Sequence, residues 1–138
     1  LGGVELKMPK GSSDKGSAAL YHAGAVVVSN FFVALVDFGL RYYQALGANK
    51  EEALKAVLPL IKGTLSNIES AGIPDALTGP IMRGDVETVK GHLQAMSERA
   101  PELLPLYREL ARHTVMVAQE KDSIDPQTAA DIQKLMEH

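Results

Sequence analysis

Three polar residues, His22, Ser29 and Asn30, interrupt the most apolar stretch of the chain. His22 and Ser29 stand two helical turns apart, so a helix carries both on one face, with Asn30 about a quarter turn away. Histidine can pass a proton near neutral pH, and Ser and Asn supply hydrogen bonds beside it. On a functional reading the three form a proton-donating, substrate-binding face turned toward a cleft. The competing reading makes them satisfied core residues or a helix-to-helix hydrogen bond. Each buried polar group would otherwise cost about 1–3 kcal/mol.

The second concentration of chemistry is Ala76-Leu77-Thr78-Gly79-Pro80-Ile81-Met82-Arg83-Gly84-Asp85. A linker needs only to reverse the chain, and this one holds more Gly, Pro, Arg and Asp than that task requires. Arg83 can offer its planar donor fork to a carboxylate or phosphate. Equally, it can pair with Asp85 or Asp75 and pin the loop. Thr78 is placed to cap a turn opening at Gly79-Pro80, and Asp85 to cap the helix that follows.

Other chemistries lack their residues. There is no cysteine, hence no disulfide, no thiol nucleophile and no cysteine-bound metal. His92 and His113 lack metal-ligand spacing, and no metal site is expected. No Gly-x-Ser-x-Gly marks a nucleophile elbow, and no Gly-x-Gly-x-x-Gly marks a dinucleotide cradle. The net charge is −3 with basic residues scattered singly, so nucleic acid is not an expected partner. The start shows no signal peptide. It also lacks a Met and opens in mid-pattern, as a piece of something longer would.

The elements that must position these residues are helical. Val4 to Met8 alternates as a short strand does, without a partner strand in the sequence. Lys10 to Gly16 reads as a polar linker. Ser17 to Leu46 reads as one long helix. Its part from Ala23 to Val36 is apolar on nearly every face, but the run falls short of about 20 residues and is punctuated by Ser29, Asn30 and Asp37. A membrane span is therefore not expected, and the composition suits a central helix buried on several sides or covered by a partner subunit. Asn49 caps a second helix with a stripe of Leu54, Val57, Leu58, Ile61, Leu65 and Ile68, and Pro59 should kink it. Asp85 caps a third with Val86, Val89, Leu93 and Met96 inward. Pro101 opens a fourth running to about Lys121, and Asp125-Pro126 a fifth. The expected fold class is all-α.

The segments Leu20-Tyr21-His22-Ala23-Gly24-Ala25-Val26 with Ser29-Asn30, Leu58-Pro59-Leu60 with Gly63-Thr64-Leu65-Ser66-Asn67-Ile68, and the Ala76–Asp85 loop together resemble one family. It is the helical domain of unknown function that follows a Rossmann-like domain in predicted NAD(P)-dependent oxidoreductases. That family is similar to the wider group containing pyrroline-5-carboxylate reductase, ketopantoate reductase and 6-phosphogluconate dehydrogenase. The resemblance runs from about Leu20 to His92. It implies a multi-helix bundle around a long central helix, like the 6-phosphogluconate dehydrogenase C-terminal domain, with Leu1–Met8 as the last strand of a missing Rossmann domain. Residues 1–16 would then end that domain and its linker, and residues 17–138 would form the helical substrate and dimerisation domain. His22, Ser29 and Asn30 would be catalytic, and Thr78 and Arg83 would bind a small, possibly anionic substrate in the interdomain cleft. NAD(P) would be held mainly by the absent domain, the protein would be a cytoplasmic homodimer, and this piece alone would be inactive. One departure stands out: the family's Lys-x-x-Tyr-His pattern has Ala18 at its lysine position, and the nearest lysine is Lys15. Two other readings remain open, a stand-alone helical dimerisation or interaction module and a deazaflavin reductase domain.

Overall fold

The computed structural model describes residues 14–137 and, ahead of them, Leu6. The expected strand Val4–Met8 lies outside the described residues except for Leu6, which has no regular structure and is exposed. The described chain is all-helical: α1 (Lys15–Ala45), α2 (Lys50–Ala71), α3 (Val86–Arg99), α4 (Leu104–Glu120) and α5 (Pro126–Leu135), with a 3-10 turn at Pro101–Leu103.

The helix starts follow local chemistry. The Asp14 carboxylate accepts from the Ser17 N–H at 2.6 Å, so α1 begins ahead of the expected Ser17 and takes Gly16 into its first turn. Asn49 accepts from the Glu51 and Glu52 N–H groups, opening α2. Asp85 and Asp125 each hold the N–H and the hydroxyl of a threonine three residues on, Thr88 and Thr128. Each supplies a partner to first-turn N–H groups that the helix itself cannot satisfy. The fourth helix departs from expectation at its start. Pro105 has no N–H to give the Pro101 carbonyl, so the chain first makes a 3-10 turn and α4 follows. Gly47 and Gly72 close α1 and α2 at positive φ.

The molecule divides into two units along the chain, Leu1–Gly39 and Leu40–His138. In the second, the core lies among α3, α4 and α5. Val89, Val115, Ile132 and Met136 are fully enclosed there, with Ala111, Ala118, Ala129 and Ile124 around them. Arg112 pairs with Glu109 and donates to the Met136 carbonyl, and Gln133 donates to the Arg112 carbonyl, stitching α4 to the end of α5.

Leu40 is the buried residue of α1 and Ala53 that of α2. The apolar stripe expected on α2 exists, yet Leu65 is 62% exposed and Leu54, Leu58 and Ile68 are exposed as well. By length and composition α1 could cross a membrane, as the composition of a helix covered by another subunit also would.

Gly84 is the tightest junction in the fold. Its φ is +66°, and an added Cβ would lie 3.0 Å from Thr128 Cγ2 and 3.4 Å from Ile124 Cγ2. Gly84→Ala should destabilise the protein by about 1–3 kcal/mol through left-handed strain and crowding. Gly63→Ala, inside α2 with open space around it, should instead stabilise by about 0.5–1 kcal/mol. Urea denaturation of both variants checks the pair.

Candidate functional site

His22, Ser29 and Asn30 all lie on α1 in the first unit, and all three are exposed. The helix carries His22 and Ser29 on one side, as the spacing requires. Around them Leu20, Val28 and Val33 are 76%, 77% and 69% exposed, so the polar face is set in a bare apolar surface. Thr78 and Arg83 belong to the second unit.

The Ala76–Asp85 loop is held from three sides. Within it, the Arg83 N–H donates to the Gly79 carbonyl, the Gly84 N–H to that of Ile81, and the Asp85 N–H to that of Pro80 at 2.8 Å. From below, Ile81 enters the core. From α4's end, the Lys121 ammonium donates to the carbonyls of Asp75 and Leu77, both at 3.0 Å. The positive φ of Gly79, +95°, permits the tight reversal before Pro80.

Of the two readings open for Arg83, pairing within the loop is not formed among the described residues. The Asp85 carboxyl is taken up by Thr88, and Arg83 makes no ion pair among the described residues. The Thr88 hydroxyl, then its N–H, holds the Asp85 carboxyl below the usual range, with smaller contributions from the charges of Arg83 and His92. Lysine 121, not Arg83, pins the loop, and the exposed guanidinium of Arg83 is left for other partners. Among the described residues Thr78 caps nothing.

Thr78 instead lines a cleft of about 310 Å³ between the loop, α3 and α4. Pro80, Ile81, Leu110 and Ala111 make its walls apolar; His92, Tyr107 and Thr114 join Thr78 as its polar members. His92 Nδ1 and the Tyr107 hydroxyl lie 3.0 Å apart, with the rings edge to face. The Thr114 hydroxyl donates to the Leu110 carbonyl at 2.7 Å. Burial raises the Tyr107 pKa. Nearby, the Tyr42 hydroxyl donates to Met96 Sδ at 3.3 Å, and burial, with Tyr107 adding to it, pushes Tyr42 up to about 12.

The His92–Tyr107 pair was not among the expected site residues, because they stand on different helices with no local pattern between them. By helical period His92, three residues after Val89 and four before Met96, stands at the edge of the buried α3 stripe, and its side chain is exposed. Among the described residues, no group of three or more His, Asp or Glu could hold a metal ion.

An all-helical chain with a core in α3–α5 is the class these features define. Residues 11–114 match a family described only as a domain of unknown function, DUF2520, and since the match spans well over half of the chain, the protein belongs to that family. No curated protein and no solved structure matches the chain.

Tyrosine ionisation gives this region a pH signature. The Tyr42 pKa rises from 10.0 to about 12, so the folded state holds this proton more tightly than the unfolded chain does. Its contribution to stability is full below pH 10 and is lost as pH climbs toward 12. Denaturation midpoints measured across that window should fall more steeply for the native protein than for Tyr42→Phe.

Proposed function

We propose that this chain is the C-terminal helical domain of an NAD(P)-dependent oxidoreductase, supplying substrate-cleft residues and a dimer interface for hydride transfer on a small metabolite. The observations that carry the reading are the bare apolar surface of α1 around an exposed His, Ser and Asn and, separately, the uncovered stripe of α2. Phe31, Val27 and Val28 on α1, with Leu60 and Leu65 on α2, are each more than half exposed. Side chains of this size are each stabilised by roughly 1.5–3 kcal/mol when fully covered, so two helices bearing many of them call for a partner. A second copy and a preceding Rossmann-like domain are the partners of this reading, and the cytoplasm is its compartment.

The residues present do not themselves build a dinucleotide site. Among the described residues there is no strand, hence no strand–turn–helix cradle for a pyrophosphate. On this reading NAD(P) is bound by the preceding domain and supplies the hydride. This chain's part is to bind and orient. His22 holds a proton at its imidazole, Ser29 and Asn30 hydrogen-bond the substrate, and Arg83 with Thr78 favours an anionic group. Lys15, about two helical turns ahead of His22, is the lysine available in place of the one that Ala18 replaces.

A stand-alone dimerisation module would bare the same helix faces, and the two readings differ in nicotinamide chemistry. The longer protein that includes the preceding domain should bind NADPH, and His22→Ala should lower its turnover by about 100-fold or more while leaving thermal unfolding nearly unchanged. Loss of stability with turnover unaffected would remove His22 from the mechanism. Absence of any nicotinamide binding would favour the module. For the interface, sedimentation should find a dimer that Val28→Glu and Phe31→Glu together convert to monomer.

A further inference from the structure

The cleft beneath the Pro80–Ile81 turn has a hydrogen-bonding character that follows from counting its protons. In the 3.0 Å contact between His92 Nδ1 and the Tyr107 hydroxyl, one partner donates and the other accepts. When Tyr107 donates, the neutral imidazole carries its proton on Nε2, which remains a donor. When Nδ1–H donates, the phenol keeps its own proton to give. Either way the pair has one N–H or O–H left over. The Thr78 hydroxyl bonds no described residue, whereas Thr114 has already committed its proton to Leu110. The walls contribute Pro80, Ile81, Leu110 and Ala111 and no charge.

We infer that this cleft is a binding site for a small, mainly apolar molecule carrying a carbonyl or carboxylate oxygen, which accepts the proton that the His92–Tyr107 pair leaves free. Its volume, about 310 Å³, lies at the small end of ligand pockets and suits a single ring with a short polar substituent. Apolar walls hold the ring, and the His–Tyr pair fixes its orientation. The cleft lies within residues 78–114 and requires neither a nicotinamide nor a second copy. Its occupancy is therefore separable from the oxidoreductase reading.

Three probes test this on the 138-residue chain by NMR titration: acetophenone, benzoate, and ethylbenzene as the oxygen-free control. Acetophenone or benzoate should shift Ile81, His92, Tyr107 and Ala111 saturably, in the millimolar range that such small molecules reach. The stronger of the two tells whether the oxygen is wanted neutral or charged. Tyr107→Phe and His92→Phe each remove one of the two possible donors, and at least one of them should weaken the oxygen-bearing probe about threefold to tenfold while leaving ethylbenzene unchanged. Leu110→Trp, at a half-open position on the wall, should fill the cleft and abolish the shifts. The inference is overturned if no probe saturates, if ethylbenzene binds as well as the oxygenated probes, or if the shifts fall on α1 and α2 instead. Equal binding of the oxygenated probes to the native chain, to Tyr107→Phe and to His92→Phe would also overturn it.

Discussion

Val89, Val115 and Ile132 bring three helices together on surfaces that water does not reach. Everything positioned in the second unit depends on that contact. Ile81 reaches into it and fixes the middle of the loop, while Lys121 at the end of α4 grips the loop's leading carbonyls. The cleft exists because α3 and α4 are held at a set separation by the core and the loop is drawn across them. Two backbone carbonyls here share one ammonium, so the loop's shape is held by hydrogen bonding as well as by packing.

The chain distributes its apolar residues unevenly between self-contained and unfinished structure. α3 through α5 satisfy one another. α1 carries a run apolar on nearly every side and α2 an apolar stripe, and the described residues leave much of both uncovered. A soluble chain of this size rarely leaves so many large side chains bare without something to cover them. The unevenness makes a shared surface the economical account of α1, and His22, Ser29 and Asn30 lie along it.

Much of the architecture was legible in the residues because helix starts are decided locally. Asn49, Asp85 and Asp125 each announce a first turn by a side chain that can reach an unbonded N–H, and all three do so. Helix stripes were equally plain on α3, where Val89 and Met96 are buried as the spacing requires. What covers a stripe is not written in its period. The α2 stripe has the period of a core face, and only the folded chain shows it uncovered by the described residues. The loop was recognised as unusual from composition, but its clamp, Lys121, lies far along the sequence. Contacts of that range arise from packing of whole helices, and neither Arg83's missing partner nor the His92–Tyr107 pair could be inferred from spacing.

The bareness of α1 and α2 also bears on how the chain opens. Their backbone hydrogen bonds are internal to each helix and many of their large apolar side chains are exposed, so local fluctuation can break them without disturbing Val115 or Ile132. Amide protons of α3 to α5 would then exchange only with global unfolding, while those of α1 and α2 would exchange through smaller openings. A covering partner would merge these two regimes into one cooperative unit. The domain would thus gain its full rigidity, and the fixed spacing that any chemistry on α1 requires, only upon assembly.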